Sequence, residues 1–231
     1  MDSILSMLIK KSITSNSTII ISNKNFMINY SRNLGRPLFV SYDVFPNQIS
    51  QLGFGRKKFS RDIRLDFENI YQLEPASQIF SGQMSRGHLC PSFIMSHDKS
   101  KFGSWESTYL MSNIIPQNRD FNCGAWRKLE IDTFNFIKKV SNHVRVIVGA
   151  SNIDYSSKVE YSFANSYNKF KIHDNKKIII WQDQNTGFEY KIPNVMYKII
   201  ITNHEVKCYI GLNNSNQQIY SIDLNNLFSL I

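Results

Sequence analysis

Short runs of β-branched and aromatic residues, each cut off by Asn, Gly or Pro, recur through the chain, and only one stretch carries a long helical period. That contrast constrains the fold most. Runs bounded this way read as strands, here at residues 17–22, 26–30, 37–45, 108–114, 144–150, 177–182, 195–202 and 206–212. The last two meet around Asn203-His204 and read as a tight hairpin. In the helical stretch Trp126, Leu129, Thr133, Ile137 and Val140 recur at three- and four-residue steps and so share a face. Asn118, Asp120 and Asn122 offer cap oxygens near its start, and Ser141 and Asn142 end it. A sheet with one dominant helix beside it is α+β. Strand–helix alternation, GxGxxG and GxxxxGK are all missing, which removes the usual nucleotide-cofactor classes.

The 231 residues suffice for one domain with a sizeable core, and 42% hydrophobic against 19% charged residues places the chain among globular proteins. We read residues 1–16 as a short amphipathic extension and 17–231 as a single domain. A balance of 27 basic against 18 acidic residues gives a net charge of +9, so polyanions are the expected partners, nucleic acid first and an anionic membrane second. Cys90, Cys123 and Cys208 form no CxxC half-site and suggest a reducing compartment, or at most one disulfide. No apolar run is long enough to span a bilayer.

Chemistry concentrates in two segments, SRGHLCPS at 85–92 and LMSNIIPQNRDFNCGAWRKLE at 110–130. Cleaving a phosphodiester requires a base for water, positive charge on the phosphate and stabilisation of the leaving oxygen. A neutral imidazole suits base work near neutral pH. His88 follows Arg86-Gly87, where glycine admits close backbone approach and arginine can fork onto phosphate. Asn122, at the helix start, can offer an amide oxygen to a hard cation whose other positions are water. Glu130, two turns on, falls on nearly the same helix face.

These segments resemble the signature of the DNA/RNA non-specific endonucleases, which have a ββα-metal fold. The likeness extends to GRPLFVSYD at 35–43, an arginine-bearing loop with Arg56, Phe59 and Asp62, VRVIVGAS at 144–151, KIPNVMYKIII at 191–201 and the closing residues 220–230. The resemblance implies His88 as general base and Asn122 as the protein ligand of a single Mg²⁺, with Mn²⁺ as a substitute. It further implies that Asn113 supports the histidine and the phosphate, that Glu130 acts in the metal's water shell and that Arg86 contacts substrate. Arg56 would stabilise the phosphate charge, with Arg61 a competing choice. The family cleaves DNA or RNA to a 5′-phosphate and a 3′-hydroxyl, and its members often form homodimers. Ser85 stands where the family usually has Asp, and Cys90 where alanine is common.

Two other classes fit the charge alone: a nucleic-acid-binding pseudonuclease and a basic membrane-surface protein. The first predicts loss of His88 or Asn122, and both are present. Trp126 reads as core within the helix stripe rather than as a base-stacking platform.

Overall fold

The computed structural model describes residues 2–15, 17–48, 55–100, 103–153, 160–163, 166–171 and 179–231. Its strands are β1 (Thr18–Ser22), β2 (Phe26–Ser31), β3 (Arg36–Val44), β4 (Met84–His88), β5 (Ile114–Asn118), β6 (Val144–Ser151), β7 (Glu160–Phe163), β8 (Ser166–Lys171), β9 (Ile180–Gln182), β10 (Glu189–Lys191), β11 (Val195–Ile201), β12 (Val206–Leu212) and β13 (Ile219–Ile222). Its α-helices are α1 (Asp2–Ser15), α2 (Ile63–Phe67), α3 (Ser104–Ser107), α4 (Arg119–Phe121), α5 (Arg127–Ile137) and α6 (Leu224–Leu230).

A seven-stranded sheet in the order β1-β2-β3-β6-β11-β12-β13, antiparallel throughout, forms the centre. Alternation along β11 shows why both its faces are covered. Met196 and Ile200 join one core with Leu89, Ile115, Phe121, Trp126, Leu129, Phe134 and Ile137, under the β4–β5 ribbon and α5. Val195, Tyr197, Ile199 and Ile201 join the opposite core with Ile4 and Leu8 of α1 and Leu227 of α6. Helix α1, the stretch read from sequence as an extension, is further tied to the sheet by the buried bond from Asn29 Nδ2 to Ser12 Oγ (2.9 Å).

Two sequence expectations are corrected. Residues 108–114 are not a strand: β5 begins only at Ile114, after α3 and a 3₁₀ turn over Met111–Asn113. The Asn113 side chain donates back to Thr108 O (2.9 Å), curling the segment that its β-branched composition would extend. The helical path also starts earlier than expected. Asn118 Oδ1 accepts from the amides of Asp120 (3.0 Å) and Phe121 (3.3 Å), so α4 opens at Arg119. A π turn over Asn122–Trp126, kinked at Gly124, then leads into α5, which ends at Ile137. Trp126, Leu129, Thr133 and Ile137 are buried as their spacing predicts. Of the run at 177–182, Ile180–Gln182 is β9, and 177 and 178 lie outside the described residues.

The β11–β12 hairpin forms as read, its loop closed by Thr202 N donating to Glu205 O (3.0 Å). All three cysteines are free thiols. Among the described residues no helix is long and apolar enough to cross a membrane.

Candidate active site

β4 and β5 pair as an antiparallel ribbon that sets Ser85 opposite Gln117 and His88 opposite Ile114. β5 runs through the Asn118 cap straight into α4, the π turn and α5, so ribbon and helix form one ββα unit. Asn213, after β12, fastens the junction to the main sheet. Its Oδ1 accepts from Asn118 N (2.7 Å), and its Nδ2 donates to Pro116 O (3.1 Å) and Pro193 O (2.7 Å).

The His88 ring, half-buried at the end of β4, sits against Phe59 (centroids 5.4 Å apart) and edge-on to Tyr109 (5.2 Å). Its Nε2 is buried with no hydrogen-bond partner among the described residues. Desolvation, and secondarily the Arg56 charge, pull its pKa down to about 4, so the imidazole is neutral at pH 7. Arg56 is exposed. Arg61 is engaged elsewhere: its Nε lies 3.1 and 3.2 Å from the Asp66 carboxylate oxygens, and it also pairs with Glu74. Of the two arginines, Arg56 is the one whose charge acts on His88.

Asn113 is fully buried behind the histidine. Its Oδ1 accepts from Cys90 N (2.9 Å), its Nδ2 donates to Cys90 O (3.0 Å) and Thr108 O (2.9 Å), and its carbonyl accepts from Leu89 N (3.0 Å). Both amide hydrogens are spent on backbone. These bonds clamp the chain that leaves β4 just after His88. Arg86 is likewise turned inward. Its Nε donates to Pro75 O (2.8 Å), its Nη2 bonds the same carbonyl, and the guanidinium lies 4.7 Å over Phe80 and 5.5 Å over Phe59. These donors hold the loop at Pro75 beside Phe59, the ring that walls His88.

Asn122 ties the helix back onto β4, Nδ2 donating to Ser85 Oγ (3.0 Å), which itself donates to Gln117 O (3.0 Å). The serine that replaces the family's usual aspartate thus still supplies an acceptor. With its nitrogen fixed inward, the Asn122 amide keeps Oδ1 free of protein donors among the described residues. Glu130 is half-buried. Desolvation raises its pKa, while Lys198, Arg127 and the Trp126 indole act in the opposite direction. Among the described residues no three His, Cys, Asp or Glu side chains cluster as a metal cage. One neutral amide oxygen, free of protein donors, fits a hard divalent cation that keeps most of its water.

Tyr109 also lines a cavity of about 530 Å³ that five cations, Lys24, Lys57, Lys58, Arg61 and Arg64, share with Asp62 and Glu106. Lys198, which the sequence reading missed, stands under the helix, 1% exposed, its Nζ 5.0 Å over the Trp126 ring. Strand alternation held the signal, because a lone charge in VMYKIII falls on the face of Met196 and Ile200. Of the walls of His88, Phe59 was marked only by the resemblance of its loop, while Tyr109 and the Asn213 lock had no signal beyond their residue types.

The sequence model of the DNA/RNA non-specific endonuclease family matches residues 6–227. The chain belongs to that family. It is a family of divalent-metal-dependent nucleases, and the central antiparallel sheet with its ββα unit is its fold. A solved chain in the EndoG/EndoGI complex, a crystal structure concerning the mechanism of EndoG inhibition, superposes with a TM-score of 0.57. At 17% identity the match covers 91% of this chain and 82% of the other, and it shows the shared fold. Ectonucleotide pyrophosphatase/phosphodiesterase family member 1 of Homo sapiens is 26% identical over 170 residues, 71% of this chain. The matched part spans only 17% of that protein's length.

Proposed function

We propose that this endonuclease-family chain hydrolyses phosphodiester bonds of DNA, and of RNA, in a Mg²⁺-dependent reaction of low sequence preference, with His88 as general base and 5′-phosphate and 3′-hydroxyl products. One observation carries the reading: a neutral histidine with an unpartnered, buried Nε2 lies at the end of the same strand to which Ser85 ties Asn122. A neutral acceptor nitrogen, left without a protein partner among the described residues, is available to take a proton from an attacking water. As the water adds to phosphorus, its proton passes to His88, and the bond from phosphorus to the 3′ oxygen breaks.

Asn122 Oδ1 would hold the Mg²⁺, for which Mn²⁺ can substitute, and Glu130 would act through the ion's water shell. The bound cation would supply positive charge to the phosphate and the leaving oxygen. Arg56, exposed and charged, would add to that charge, while burial first and Arg56 second keep the imidazole unprotonated. Asn113 is a positioning residue that fixes the chain just after His88. Arg86 anchors the Pro75 loop, and the basic cavity beside Tyr109 attracts the flanking backbone. Phosphate contacts carry no direct base information, which fits low specificity. Homodimerisation belongs to the same proposal and is read by analytical ultracentrifugation.

Incubation with supercoiled plasmid tests the reading. Mg²⁺ is expected to give nicked, then linear, then fragmented DNA, and excess chelator none. Binding without cleavage would identify a pseudonuclease. Cleavage indifferent to chelator would remove the metal.

A further inference from the structure

Helix α2 presents two faces of opposite character. Leu65 is fully buried, while Ile63 and Phe67, one turn apart and so on one side, are 62% and 80% exposed. Phe67 is the most exposed large apolar side chain among the described residues. Scattered apolar residues on a surface need no explanation, but this pair borders a cavity. Ile63 lines the space of about 530 Å³ together with Tyr109, whose ring packs edge-on to His88 (5.2 Å).

The helix is braced against the rest of the cavity wall. Arg64 donates through Nη1 to Ser22 O (2.9 Å) and Asn23 Oδ1 (3.2 Å) at the end of β1. Its Nε (2.8 Å) and Nη2 (2.6 Å) donate to the Asp62 carboxylate, which also caps α2 by accepting from Arg64 N (3.1 Å). Arg64 is therefore spent on holding the wall, and the available charge lies elsewhere. Lys58 has no carboxylate partner among the described residues. Lys57 pairs with Glu106, but it is exposed, and exposed pairs contribute little, so Lys57 can turn to a phosphate at small cost.

We propose that the cavity and the lip made by Ile63 and Phe67 form a subsite for one unpaired nucleotide of the substrate strand, its base against the Phe67 ring and its phosphates on Lys57 and Lys58. The proposal takes its substrate class from the nuclease reading, and rests on none of the roles given there to His88, Asn122 or Glu130. Shape and charge together select this occupant. The cavity has the volume of a small-molecule pocket and admits a single nucleotide. Within a duplex each base is stacked on both faces, whereas an unpaired base has a free face that an exposed aromatic ring can cover. An anionic lipid surface would meet the same lip and lysines but would leave the concave space beside them unfilled. Through Tyr109, a strand seated here runs on toward His88.

The test is fluorescence anisotropy of end-labelled DNA in excess chelator. One mixed-sequence strand is offered single, annealed to its complement, or with abasic sites in place of its bases. Phe67→Ala removes an exposed side chain, so its melting curve should stay near that of the wild type. It is expected to weaken single-strand binding about tenfold, as the loss of one base stack does, and to leave binding of the duplex and the abasic strand nearly unchanged. Phe67→Trp should keep single-strand affinity. Lys58→Gln should reduce the slope of log affinity against log salt for the single strand by about 0.7, the share of one phosphate contact.

Unchanged single-strand affinity in Phe67→Ala, or an equal loss on the duplex and the abasic strand, would overturn the subsite. So would loss of binding to phosphatidylserine vesicles in Phe67→Ala with single-strand binding intact, the mark of a lipid surface. Plasmid cleavage in Mg²⁺ decides the nuclease reading separately. A protein that binds single strands through Phe67 yet cuts nothing keeps the subsite and loses the reaction. One that cuts plasmid while Phe67→Ala binds single strands normally keeps the reaction and loses the subsite.

Discussion

Replacing Ser85 with alanine removes one oxygen and tests how the metal-site amide is aimed. Ser85 Oγ accepts from Asn122 Nδ2 and donates to Gln117 O, each at 3.0 Å, so it is the only protein group that fixes which way the amide faces among the described residues. Asn122 is half-buried, and water can take over the lost acceptor. The net loss is then that of an ordinary hydrogen bond, about 1 kcal/mol. Spent on metal affinity, that is about a fivefold rise in the Mg²⁺ concentration for half-maximal cleavage. Asn122→Ala, which removes the proposed ligand itself, should shift the midpoint further. Ser85→Asp, which keeps an acceptor, should shift it little. The assay is a Mg²⁺ titration of initial plasmid-nicking rates at fixed pH, with melting curves to verify folding. The expected result is a displaced midpoint with nearly unchanged rate at saturation. A Ser85→Ala protein with an unmoved midpoint and a reduced plateau would refute the reasoning, because the serine would then act on the chemistry rather than through Asn122.

Binding of duplexes by metal-free protein should weaken steeply with salt, since each neutralised phosphate releases counterions, and random sequences should bind alike; a salt-insensitive preference for one sequence, seen by fluorescence anisotropy, would point to base readout instead. His88 holds its proton more weakly folded than unfolded, so its contribution to stability is full above about pH 6.5 and is lost as pH falls towards about 4. The shift corresponds to at most about 3 kcal/mol, less for a half-buried ring, and urea melts of the wild type and His88→Gln should converge by that order as pH falls from 7 to about 4.5.

The sheet was legible because its signal is local: β1, β2, β3, β6, β11 and β12 are β-branched runs with clear boundaries. β4 was not, since MSRGH has no apolar run and is a strand only because β5 pairs with it. The stretch at 108–114 has strand composition but curls under the side-chain bonds of Asn113, a tertiary effect that propensity cannot carry. In the site, residue types and order located His88, Asn113, Asn122 and Glu130 on one ββα unit. Direction was not legible. Asn113 turns both of its amide hydrogens, and Arg86 its Nε and Nη2, to backbone carbonyls. Lys198 could have been found, for an inward charge on a fully buried strand is visible from alternation alone.

The central claim is that His88 takes the proton from the attacking water. The most direct measurement is plasmid cleavage by folded His88→Ala at saturating Mg²⁺, alongside its affinity for DNA. Cleavage should fall about 10²–10⁴-fold with affinity nearly intact. Near-normal turnover in that variant would contradict the account.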